Sequence, residues 1–173
     1  MAATGFEVTL ARIQQLETTI AQLVRPATTA AGGFARALDR ISETGKPTLE
    51  GPAERTAWAR DLLAALGMPR TRENVRALVA WARAEGTAAA HNPLATTQAH
   101  PGATNFNSVG VKNYLSYHDG IEATVRTLTN GRYHAILDAL RRGDDALAVA
   151  RAIANSPWGT GDLVLRVLEQ SPL

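Results

Sequence analysis

Apolar side chains recur along this chain at intervals of three and four residues, the spacing that lines them up on one face of a helix. The first stripe is narrow: Phe6, Leu10, Ile13, Leu16, Ile20 and Leu23 in "FEVTLARIQQLETTIAQLV", residues 6–24. So few turns bury little alone, and the segment reads as a short coiled coil or partner-binding helix, or else as a helix docked back on its own domain. Pro26 stops it. Ala, Thr, Gly and Pro crowd the stretch to residue 52, which reads as a linker holding one short helix from Phe34 to Ile41.

From residue 53 the helical pattern is steadier. "AERTAWARDLLAALG" sets Trp58, Leu62, Leu63 and Leu66 on one face and ends at Gly67. "TRENVRALVAWARAEG" opens on Thr71 as N-cap, carries Asn74 where a capping box prefers Glu, repeats Val75, Leu78, Val79 and Ala82, and ends at Glu85 and Gly86. "SYHDGIEATVRTLTNG" offers Ser116 and Asp119 as a cap and the stripe Ile121, Val125, Leu128. "YHAILDALRRG", "DDALAVARAIANS" and, after "PWGTG", "DLVLRVLEQ" with Asp162 as cap complete the series. The expected class is all-α, built from about six helices with a small β-ribbon.

The ribbon belongs to the one long interruption. Residues 86–111, "GTAAAHNPLATTQAHPGATNFNSVGV", contain no Asp, Glu, Lys or Arg, yet are rich in Asn, Thr, Gln, His and Ser. A loop of this length inside a domain usually carries function or is disordered. Phe106, Val109, Val111 and Tyr114 read as anchors, and "FNSVGVKNY" alternates like a short ribbon with its turn at Ser108 to Gly110. Neutral hydrogen-bonding groups beside one acid suit an uncharged polyhydroxyl ligand such as a sugar polymer.

Composition narrows the function classes. The 173 residues allow one domain with a real core plus an appendage: a segment over 1–50 and a domain over 51–173. With 18 basic and 16 acidic residues, the net charge of +2 leaves no basic arm for nucleic acid. Cysteine is absent, which excludes a disulfide framework, a thiolate zinc site and a thiol nucleophile. The four histidines, His91, His100, His118 and His134, form no tight ligand pair, so neither metal nor other cofactor is expected. No run of apolar residues is long enough to predict membrane insertion, and the N-terminus lacks the pattern of a secretory signal.

Glu85 is the candidate for chemistry. Glycoside cleavage needs a proton delivered to a leaving oxygen, usually from a carboxylic acid in apolar surroundings. Glu85 lies one turn after Trp81 on the same helix face, among Ala and Gly, at a helix end whose dipole disfavours a carboxylate. The plainer reading is an exposed terminal glutamate. Asp119 and Glu122, the other acids between Glu85 and Asp138, fall in an opening helical turn where the dipole explains them without chemistry. With one acid, an N-acetyl or hydroxyl group of the sugar has to assist. Trp81, Tyr114, Tyr117 and Trp158 are candidates for sugar-stacking walls or for core positions, with Trp158 expected against the Glu85 helix.

The runs "VRALVAWARAEGTAAAHNPLATT", "PGATNFNSVGVKNYLSYHDGIEATVRTL" and "AIANSPWGTG", in this order within residues 53–170, resemble the lysozyme-like domains of actinobacterial phage endolysins and tail-associated cell-wall hydrolases. "NSVGVKNY" with "SYHDGI" is also similar to the Asn-x-x-Gly-Ile-Lys region of glucosaminidase-type autolysins. The resemblance implies a lysozyme-like domain behind a helical leader, cleaving peptidoglycan glycan strands as a muramidase or lytic transglycosylase, with Glu85 as proton donor. It implies glycan contacts at Asn92, Thr96, Thr97, Asn107, Lys112 and Tyr114, beside the stacking candidates Trp81 and Trp158. It also implies action at the bacterial cell wall. The leader resembles helical segments found before transglycosylase domains in flagellar gene neighbourhoods, which implies export by phage release or a dedicated secretion or flagellar route. Two features depart from the lytic transglycosylases: Gly86 stands where many have serine, and their glycine-leucine-methionine-glutamine turn is missing. The rival expectation is a glycan-binding or structural module of a phage tail or secretion apparatus, without activity.

Overall fold

The structure, a computed structural model, describes residues 51–170. The stripe over 6–24, the short helix at 34–41 and the linker before residue 51 lie outside the described residues. Six helices and a two-stranded ribbon follow: α1 (Pro52–Ala65), α2 (Arg72–Glu85), β1 (Thr104–Asn105), β2 (Lys112–Asn113), α3 (Tyr117–Leu128), α4 (His134–Arg142), α5 (Ala146–Ala154) and α6 (Gly161–Gln170). Among the described residues the class is therefore all-α with a small β-ribbon.

Helix α2 is central, packed against α1, α5 and α6. Its sequence suits that place, because Ala77, Ala80 and Ala82 let neighbours approach closely while Val75, Leu78 and Trp81 fill the space between them. Trp58, Leu62 and Leu63 of α1, Ile121 and Leu128 of α3, Ile136 and Leu140 of α4, Val149 and Ile153 of α5, and Val164 and Leu168 of α6 complete one core. Val79 of α2, expected inside, is only partly buried against this cluster.

Side chains tie both ends of α2 to other helices. Thr71 caps it, accepting from the Asn74 N–H at 3.2 Å. The Asn74 amide, too short for a reciprocal capping-box bond, instead donates at 2.7 Å to the carbonyls of Pro69 and Leu140, joining the start of α2 to α4. Arg76 donates from Nη2 to the Leu168 carbonyl at 3.1 Å, so the N-terminal half of α2 lies beside the end of α6. The two helices run antiparallel, which brings Glu85 at the end of α2 to the start of α6. Gly86, at φ 54°, ends α2 in the left-handed conformation that glycine adopts without strain.

Ser116 caps α3, accepting from the Asp119 N–H at 3.1 Å, as its spacing predicts, and Asp145 caps α5. Asp162 does not cap α6. It lies inside the first turn, and Thr160 is the residue before the helix, its carbonyl accepting from Leu163 and Val164. Gly161 is pressed so closely on α5 that an added Cβ would lie 2.0 Å from the Ala154 nitrogen.

The ribbon pairs Thr104 with Asn113 and Asn105 with Lys112, antiparallel, and the Phe106 N–H donates to the Val111 carbonyl at 2.7 Å. Its turn runs from Asn107 to Gly110, with the Asn107 Oδ1 accepting from the Val111 N–H at 3.1 Å. Val111 and Tyr114 are buried anchors, but Phe106 is 43% and Val109 76% exposed. These two stand at and beside the turn, where no second layer covers them. No helix among the described residues is long and apolar enough to cross a membrane.

Candidate active site

Glu85 is half-buried where the end of α2, the loop "SPWGTG" and the start of α6 meet. Its Oε1 accepts three hydrogen bonds: from Trp81 Nε1 at 3.2 Å, Trp158 Nε1 at 2.9 Å and Thr160 Oγ1 at 2.7 Å. Trp81 reaches it from one turn earlier on α2, while Trp158 and Thr160 come from more than seventy residues away. All three donors are neutral. The C-terminal dipole of α2 opposes a carboxylate here, and the N-terminal dipole of α6, one residue beyond Thr160, favours it. A helix-end acid becomes tenable where two antiparallel helices bring opposite poles together.

The aromatic residues form a pile beside this carboxylate. Trp158 meets Trp81 edge to face at a centroid distance of 4.7 Å and Tyr133 at 5.2 Å. Trp81 is 0% exposed, so it offers no face to a sugar and serves the site through its indole N–H. Trp158 packs against the Glu85 helix, as expected, and stays partly exposed. Tyr117 is committed elsewhere: its hydroxyl donates to Asp61 Oδ2 of α1 at 2.9 Å, and burial first, then the Asp61 charge, push its pKa well up.

Three of the residues carried over as glycan contacts turn inward. Asn92 is 1% exposed; its Nδ2 donates to the carbonyls of Thr96 at 2.9 Å and Lys112 at 2.7 Å, and its Oδ1 accepts from Thr96 N–H at 2.8 Å and Thr96 Oγ1 at 3.1 Å. The Tyr114 hydroxyl lies 2.8 Å from Thr96 Oγ1 and donates to the Gln98 carbonyl at 2.9 Å. Asn92, Thr96 and Tyr114 spend their polar groups on the loop itself, because a buried loop must satisfy its own backbone. They position the segment and present nothing to a ligand. Thr97 and Asn107 are exposed, and Lys112, half-exposed, donates from Nζ to Asn105 Oδ1 at 2.6 Å. These three lie on the outer side of the loop and ribbon.

The same loop holds two non-glycine residues in left-handed conformation, His91 at φ 54° and Ala95 at φ 51°. Each costs on the order of 1–2 kcal/mol, which the Asn92 bonds offset. Burial lowers the pKa of His91, with the nearby Asp119 charge opposing it. His100 Nε2 stands 3.4 Å from Glu122 Oε2 and 3.9 Å from Asp119 Oδ1. The hydrogen bond from His100, then Arg126, holds Glu122 below the ordinary glutamate pKa. The two other acids thus face histidines and an arginine, and the described residues contain no group of three or more His, Asp or Glu that could hold a metal ion.

Reading along the chain found Glu85, Trp81 and Trp158, and missed Thr160. The only local signal for Thr160 was its place before a helix, where a hydroxyl normally turns back on its own backbone. No family model, no curated protein and no solved structure matches this chain.

Proposed function

We propose that this domain cleaves the glycan strands of peptidoglycan, with Glu85 as general acid and then base. The observation that carries the reading is the half-buried carboxylate held between opposing helix ends by three neutral donors, with no cation paired to it among the described residues. Exposed neutral groups at Thr97 and Asn107, with Lys112 beside them, support a polyhydroxyl substrate that carries little charge at the contact. In the proposed step, protonated Glu85 gives its proton to the glycosidic oxygen, the bond from the anomeric carbon to that oxygen breaks, and its electron pair leaves with the departing sugar. The electron-poor anomeric carbon is then attacked by water or by a hydroxyl of the same sugar. The Glu85 carboxylate takes up the proton that the attacking oxygen loses, which restores the acid.

Digestion of purified peptidoglycan, read by mass spectrometry, tests this. Reducing ends indicate hydrolysis and anhydro ends the intramolecular route. Glu85→Gln should lower the rate by roughly 10²–10⁴-fold while the protein stays folded. The second reading, a glycan-binding or structural module without activity, draws support from the same three bonds, which also suit a carboxylate used only to fasten α6 to α2. Binding to sacculi without any cleavage would favour it.

A further inference from the structure

The Glu85 carboxylate is held on one side only. Trp81, Trp158 and Thr160 all donate to Oε1, and Oε2 accepts from none of the described residues. An oxygen already accepting three donors has no lone pair left for a proton, so the proton of the neutral acid belongs on Oε2.

Thr160 supplies a second, separate observation. It stands directly before α6, where a threonine hydroxyl ordinarily accepts from a backbone N–H of the first turn. Thr71, Ser116 and Asp145 all do this at the starts of their helices. Thr160 does the reverse: its hydroxyl donates outward to Glu85 at 2.7 Å, and α6 joins α1 and α4 in starting without a side-chain cap. Trp158, two residues earlier, aims its indole N–H at the same atom while its ring is wedged between Trp81 and Tyr133. Two donors from one short loop therefore fix both the rotation of the carboxyl group and which of its oxygens is occupied.

We infer that Thr160 and Trp158 are positioning residues that commit Oε1 of Glu85 and leave Oε2 as the oxygen that gives and takes the proton. This rests on the reading of Glu85 as a general acid. Loss of the Thr160 hydroxyl lets the carboxyl group rotate, and misplacement by about 1 Å costs roughly 10²-fold in rate. Substrate contact is not involved, so the loss falls on kcat and spares KM.

The test uses the full chain and solubilised glycan strands. Glu85→Gln, Thr160→Val, Thr160→Ser and Trp158→Phe are compared for kcat, KM and melting temperature. Thermal stability of Glu85→Gln, Thr160→Val and the double variant completes a mutant cycle. The expected result is a kcat loss of roughly 10- to 100-fold in Thr160→Val with KM unchanged. Thr160→Ser, which keeps the hydroxyl, should recover most of that rate, Trp158→Phe should lose less than Thr160→Val, and the cycle should be non-additive. A strong loss in Glu85→Gln with full activity in Thr160→Val and Trp158→Phe would overturn the positioning roles and leave the acid in place. Full activity in Glu85→Gln, or none in the unmodified protein, would overturn both. A Thr160→Val loss that Thr160→Ser fails to restore, with additive stabilities, would make Thr160 structural only.

Discussion

Replacing Asn92 by alanine is the sharpest test of what holds the charge-free segment in shape. The side chain makes four hydrogen bonds, two as donor to the Thr96 and Lys112 carbonyls and two as acceptor from the Thr96 N–H and hydroxyl. Each bond contributes about 0.5–1.5 kcal/mol net, so the four together amount to about 2–6 kcal/mol. Water entering the vacated space recovers part of this, and a loss of about 3–4 kcal/mol is expected, a large share of the roughly 5–15 kcal/mol that stabilises a typical domain. Asn92→Asp sharpens the argument. It keeps the acceptor oxygen but turns a second oxygen, ionised at neutral pH, toward two carbonyls, so it should destabilise at least as much as alanine despite its shape. Urea unfolding followed by tryptophan fluorescence and circular dichroism measures both. A loss below about 1 kcal/mol for Asn92→Ala, or a milder effect for Asn92→Asp at neutral pH, would refute the reasoning.

Gly120→Ala should destabilise by about 1–3 kcal/mol or more, because the added methyl would stand 1.9 Å from the His91 carbonyl oxygen, a backbone atom; an unchanged melting temperature would contradict the packing there. His91 resists protonation in the folded chain more than in the unfolded one, so its stability contribution is complete above the ordinary value of 6.5 and is lost as pH falls below it. His91→Asn, which tolerates left-handed backbone, should flatten the fall in stability between pH 8 and pH 5 in urea titrations, and an equal slope in both proteins would count against this. Trp158→Ala should lose roughly 2 kcal/mol, less than a fully buried indole, since the ring is half-exposed; calorimetry settles the figure, and a loss above about 4 kcal/mol would show the ring to be a core residue.

Helix boundaries were legible where a local rule decides them. Thr71, Ser116 and Gly86 cap as their spacing predicts, because a cap depends on residues within one turn. Polar residues of the loop were harder to place. Composition shows that Asn92, Thr96 and Tyr114 hydrogen-bond, but not whether they face a ligand or one another, and burial turned them inward. Phe106 and Val109 misled for the converse reason: an apolar residue at a turn has no partner layer unless the fold supplies one. The donors on Glu85 lie beyond any local pattern, since the separation in sequence is 73 residues for Trp158 and 75 for Thr160. Asp162 looked like the cap of α6 because Asp is a frequent N-cap and the apolar pattern starts just after it, whereas the helix already begins at Gly161.

That long separation bears on when the site comes into being. During synthesis the chain emerges at roughly 5–20 residues per second, so roughly 4–15 s pass between the appearance of Glu85 and that of Thr160. Until then the acid has only Trp81 as a donor, and the closing helix that brings an opposing pole does not yet exist. Nascent chains stalled anywhere between the two residues carry the glutamate without its setting. Completion of the site is thus a late event, which waits for the last helix in the order of translation.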